Sequence, residues 1–80
     1  MEGTTLAKRV AVFPTTHQTL QAEKLLKGNG IKVRPVLKPR RIATECGMAL
    51  EFDAAEEETI VRLCQERKLA LVGIYPVEGS

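Results

Sequence analysis

Twice in this chain a short apolar run gives way, within one or two residues, to helical spacing, and that double switch limits the fold more than any other feature. Arg9 to Phe13 is apolar and β-rich and stops at Pro14, which reads as a strand buried on both faces. Thr15 stands three residues before Gln18, a capping-box spacing, and good helix formers then run to the stop signal Gly28-Asn29-Gly30. A first helix is predicted over about residues 15–28, with Ala22, Leu25 and Leu26 on its apolar side. Leu20 lies among Thr16, Glu23, Lys24 and Lys27 and is expected to be exposed. The second switch follows the same plan. Met48, Leu50 and Phe52 alternate with Ala49 and Glu51 as a strand, and Asp53 and Glu56 repeat the capping-box spacing. Ile60, Leu63, Cys64 and Arg67 then carry a second helix to about Lys68.

Two further strands complete the pattern. Ile31, Val33, Pro35 and Leu37 alternate with Lys32, Arg34 and Val36, a half-buried strand whose internal proline places it at a sheet edge. Leu69 to Tyr75 is the last strand, closed by Pro76. The order β, α, β, β, α, β predicts an α+β fold of the ferredoxin-like type: a four-stranded antiparallel sheet in the order 4-1-3-2 with both helices on one face. Eighty residues hold one such unit, a single domain over 1–80 with its core at about 9–76 and short polar tails. The first and last strands are apolar on both faces, whereas helices cover only one. The open face is therefore expected to meet another chain, in a homodimer or a larger complex.

Composition excludes several classes of function. A net charge of +2 and three aromatics without a tryptophan leave no base-stacking platform, so no nucleic-acid partner is expected. The first nine residues have no apolar h-region, and the longest uncharged apolar stretch, Leu69 to Ile74, is far short of a span. No membrane association and a cytoplasmic location are expected. One histidine, no acid/base pair at a telling spacing and no cofactor fingerprint argue against an enzyme and against a bound cofactor. Two cysteines without a CxxC or Cys/His spacing predict free thiols and no metal site.

The predicted topology separates those cysteines. Strands one and three lie side by side and antiparallel, so Cys46, just before strand three, comes near Pro14, Thr15, Thr16 and His17, which open the first helix. The connection carrying Lys38, Arg40 and Arg41 reaches the same rim. A thiol beside a helix N-terminus and several cations has its anion stabilised, which makes Cys46 a candidate reactive thiol. Gly47 would leave room for an approaching group, and His17 would donate to the thiolate or shuttle a proton. A plainer reading stands beside this one: Cys46 closes a loop, His17 is an exposed helix-start residue, and Lys38 to Arg41 is a solvated hairpin tip. Cys64, one turn after Ile60 on an apolar helix face, is expected to be buried and inert.

The segments Phe13-Pro14-Thr15-Thr16-His17, Ala22 to Lys27, Gly30 to Arg34, Cys46-Gly47-Met48-Ala49-Leu50 and Gly73-Ile74-Tyr75 together resemble the selenium/sulfur carrier protein-like family of small bacterial domains. The resemblance runs from about Arg9 to Tyr75. It implies a carrier that holds sulfur or selenium on Cys46 as a persulfide or selenopersulfide, with a desulfurase-type donor and an acceptor protein as partners. Arg40, Arg41 and the helix N-terminus would stabilise the anion, and Thr15, Thr16 and His17 would hydrogen-bond to it. The alternative is a ferredoxin-like regulatory or protein-interaction module without thiol chemistry.

Overall fold

The central pair of the sheet organises everything else. In the computed structural model, which describes residues 8–40, 42–44 and 46–77, strand β1 (Lys8–Val12) pairs antiparallel with β3 (Met48–Asp53) on one side and with β4 (Gly73–Pro76) on the other. Strand β2 (Val33–Leu37) pairs antiparallel with the free edge of β3. The order β2-β3-β1-β4 is the expected 4-1-3-2 read from the opposite edge, and β2, with Pro35 inside it, is an edge strand. Helix α1 (Thr16–Gly28) links β1 to β2, and a 3₁₀ turn (Ala54–Glu56) followed by helix α2 (Glu57–Glu66) links β3 to β4.

Side chains alternate across the sheet, and each face has its own core. Ala11 and Phe13, Leu50 and Phe52, and Val33 meet Ala22 and Leu26 of α1 and Ile60 and Cys64 of α2. Both helices thus pack on one side. On the other side Val10, Val12 and Ala49 form a second, smaller cluster. Its cover comes from within the chain: Ile42 of the β2–β3 connection folds over it, flanked by Val36, Tyr75 and Val77. Val10 is only 3% exposed and Val12 and Ala49 are fully buried. The expectation that this face is left uncovered is therefore corrected, because a connection of ten residues is long enough to return an isoleucine to the sheet.

Local chemistry explains the ends of the elements. Thr15 caps α1 as expected, its hydroxyl oxygen accepting from the Gln18 N–H at 3.2 Å. The Gln18 side chain does not reach back; its Oε1 accepts from the Ala70 N–H at 2.9 Å and ties α1 to the α2–β4 connection. The second capping box does not form. Asp53 makes no capping bond and instead pairs with Lys8, its direct cross-strand neighbour, at 2.6 Å. The last strand also begins later than expected. Leu69 and Leu71 pack on the helix-side core from a turn in which the Leu71 N–H donates to Leu69 O, and Val72 is the first residue of that segment to bond β1, at Val12 O. At the far end of β2, Leu37 has the strand parity of buried Val33 yet stands exposed, because nothing among the described residues covers the end of this edge strand.

Both helices stop in the same way. In α1 the Ile31 N–H donates to Leu26 O and the Gly30 N–H to Lys27 O, with Gly30 at φ +80°. In α2 the Leu69 N–H donates to Cys64 O and the Lys68 N–H to Gln65 O, but the left-handed position is held by Lys68 at φ 58°. A side chain there carries a backbone cost that glycine avoids. Lys68→Gly is expected to raise stability by about 0.5–1 kcal/mol and Gly30→Ala to lower it by about 1 kcal/mol. Urea unfolding at unchanged slope reads both; shifts of the opposite sign would show that these turns do not hold in solution.

Candidate thiol site

The register Val12↔Ala49 brings the start of β3 level with the end of β1, and so brings the loop ahead of β3 against the first turns of α1. Cys46 sits at that junction with none of its surface exposed. Its Sγ lies 3.2 Å from the Thr19 hydroxyl and accepts from the Met48 N–H at 3.4 Å. The loop is pinned around it. The Lys38 N–H donates to Gly47 O at 2.9 Å, the Thr44 hydroxyl to Cys46 O at 2.9 Å, and the Lys38 ammonium to Thr44 O at 3.2 Å.

Two opposed effects set the acidity of this thiol. Burial pushes it up, whereas hydrogen bonds from Thr19, the Met48 N–H and Thr16, together with the charge of Lys38, pull it down. The second group prevails, and Cys46 lies below the ordinary thiol range. Ionisation needs little rearrangement. The single Thr19 hydroxyl proton has two acceptors in reach, Thr15 O at 3.0 Å and the sulfur. When the thiol is neutral its own proton points to the Met48 carbonyl, 3.4 Å away, or to the Thr19 oxygen. Once the thiol is an anion, the Thr19 hydroxyl turns to it, and Thr15 O keeps the Thr19 N–H at 3.0 Å. Thr15 O is thus not left without a partner.

The expected site residues divide. Thr16 does act on the sulfur, through its side chain, and Thr15 acts one step removed, as the cap of α1 and the second acceptor for Thr19. His17 is exposed on α1 and is not among the groups around the sulfur, and neither is Arg40, which is exposed at the turn of the β2–β3 connection. Arg41 lies outside the described residues. Among the described residues the cation acting on Cys46 is Lys38, whose side chain folds back on the loop. Gly47 is exposed, and a Cβ built on it meets nothing within 4 Å, so the space in front of the loop is open. Thr19 was not anticipated as a site residue. The signal was present, since Thr19, Ala22 and Leu26 share one helix face and a hydroxyl on an apolar face needs a polar partner.

Cys64 is buried in the helix-side core, and burial alone pushes its thiol up. Both cysteines are free. Among the described residues no group of three or more His, Cys, Asp or Glu side chains is placed to hold a metal ion, and no helix is long and apolar enough to cross a membrane.

Because the folded protein favours the Cys46 thiolate, this group adds stability that is present above the pKa of the unfolded thiol, about 8.5, and is lost as pH falls through the lower folded value. Stability of the native protein is thus expected to rise toward that pH more steeply than that of Cys46→Ser. Alkylation followed by peptide mapping should give Cys46 a midpoint lowered from that of an ordinary thiol and Cys64 one raised from it. The Cys46 plateau rate should stay below that of a free thiol, since a fully covered sulfur reacts only on local opening. Thr19→Val should raise the Cys46 midpoint and Thr19→Ser should keep it. An unmoved midpoint in Thr19→Val would remove that hydroxyl from the site.

Comparison with known proteins adds one finding. The family model described as "Putative Se/S carrier protein-like" matches residues 8–76, nearly all of the chain and every element described above. No curated protein and no solved structure matches it.

Proposed function

The chain belongs to the Se/S carrier protein-like family, and from that premise we propose that Cys46 is the residue that carries the chalcogen. The observation behind this reading is the set of donors on one sulfur: the Thr19 hydroxyl, the Met48 N–H, Thr16 and the Lys38 charge all favour an anion, which a loop-closing cysteine does not require. In the transfer, the Cys46 thiolate attacks the terminal sulfur of a donor persulfide. A bond forms between Cys46 Sγ and that sulfur, the donor S–S bond breaks, and the donor cysteine leaves as a thiolate with the electron pair. The proton on the terminal sulfur travels with it, and the same step with selenium gives a selenopersulfide. A nucleophile on an acceptor then removes the terminal atom, returning Cys46 to the thiolate.

Thr19, Thr16 and Lys38 hold the Cys46 thiolate before the first step and after the second, and Thr15 positions Thr19. His17 and Arg40, both exposed, act from outside on incoming groups, and Arg41 is proposed to stabilise the anion. The donor is a desulfurase-type protein, and the fold is of the ferredoxin-like type, with the loop before β3 as the working end. The protein is a carrier in a reducing compartment and not an enzyme. One observation favours the alternative of an interaction module without thiol chemistry, namely that the sulfur has no exposed surface in the resting structure. The carrier reading therefore includes an opening of the loop when a donor arrives.

The test is to incubate the protein with a cysteine or selenocysteine desulfurase and its substrate and to follow intact mass and peptide maps. A single added S or Se atom, lost in Cys46→Ala and kept in Cys64→Ala, is the expected result. An adduct on neither thiol would leave the interaction module as the better account.

A further inference from the structure

We propose that the end of the sheet holding Cys46 is a docking face for a protein partner that presents carboxylates around an apolar centre. This deepens the carrier reading and rests on it for its purpose, while its geometry stands on separate observations. The topology gathers three connections at this end: β1 to α1, β2 to β3, and α2 to β4. The exposed large hydrophobics among the described residues are Leu37 at 86%, Leu20 at 51% and Val72 at 44%, and all three belong to this end. Leu37 closes β2 in register with Met48, Val72 bonds the last residue of β1, and Leu20 follows Thr19 in the second turn of α1. Leu37 and Val72 stand at opposite edges of the four-stranded sheet, which sets them about 14 Å apart across three strand spacings, with the Cys46–Gly47 loop between them. Gly47 offers the open ground there. On the Leu37 side, Lys38, Pro39 and Arg40 also wall a groove floored by Val10 and Val36.

Charge selects the occupant. The two longer connections at this end contain Lys38, Arg40, Arg41, Arg67 and Lys68 against Glu45 alone, a surplus of four where the whole chain has a net charge of only +2. Among the described residues the ion pairs engage Lys8, Arg9, Lys27 and Arg34, none of which lies in these connections. Arg40, Arg67 and Lys68, all exposed, thus remain available to an incoming anionic surface, whereas Lys38 is turned back on its own loop. Apolar side chains set among them fit a protein surface with an apolar centre and an acidic rim better than a nucleic-acid backbone, which would leave Leu37 and Val72 without a partner.

The probe is a short peptide alternating Glu and Leu, titrated into the full ¹⁵N-labelled chain and followed by amide shifts, with Lys/Leu and Glu/Ser peptides as controls. Shifts confined to residues 16–20, 37–47 and 67–73, produced by the Glu/Leu peptide and not by the controls, are expected. Leu37→Asp, and separately Arg40→Glu with Lys68→Glu, should weaken that binding at least tenfold with the melting transition retained. Shifts elsewhere, no binding, equal binding of the controls, tighter binding of duplex DNA or of anionic lipid vesicles, or association of the chain with itself through this face would each overturn the proposal. The carrier reading is judged by the mass adduct on Cys46. Peptide binding without an adduct sinks that reading alone, and an adduct without peptide binding sinks only the docking face.

Discussion

Everything around the sulfur depends on β1 and β3 lying side by side and antiparallel in the middle of the sheet. That pairing sets residues near position 14 beside residues near position 47, so the capped start of α1 and the loop ahead of β3 occupy one corner. The register cannot slip by one residue without turning Val10, Val12 and Ala49 toward the helices and Ala11, Phe13 and Leu50 away from them. Two hydrophobic clusters, one on each face, therefore hold the geometry of a site to which neither contributes a polar atom. The cross-strand pair Arg34–Glu51 and the pair Lys8–Asp53 agree with this register, although exposed pairs of this kind add no more than about 1 kcal/mol each.

The β2–β3 connection performs two tasks with one stretch of chain. Ile42 closes the second face of the sheet, a burial that contributes about 1.5–3 kcal/mol. On either side of it, Lys38 and Cys46 are fastened to each other through Thr44 and Gly47. Anchoring at its middle explains how so long a connection can present a sulfur at a fixed place. It also covers the middle of that sheet face from within the chain.

A tension at the site has a physical origin. The groups that favour the thiolate are the same groups that cover it, because a hydroxyl at 3.2 Å and an N–H at 3.4 Å leave no room for water on those sides. Stabilising the anion and exposing it are competing demands. The open ground before Gly47 and the cationic, partly apolar rim on either side are where a partner would relieve the conflict, by taking the place of solvent as the loop opens.

The sequence by itself determined the order of elements, the antiparallel sheet with β2 at its edge, the Thr15 cap, the exposure of Leu20 and the burial of Cys64. Each of these follows from local pattern: side-chain period, a proline or glycine in place, and an apolar position on an amphipathic helix. It also carried the family resemblance. What only the tertiary structure decided were the long-range choices among residues of equal local merit. Lys38 rather than Arg40 acts on the sulfur, and Thr19 rather than His17 bonds it, because reach depends on how the loop folds back and on which face of α1 turns inward. Asp53 went to Lys8 instead of capping, since the β1–β3 register sets Lys8 directly opposite it. Ile42, which no periodicity singled out, became the cover of a whole sheet face, because a single apolar residue in a polar loop has no pattern to read until the surface it meets is in place.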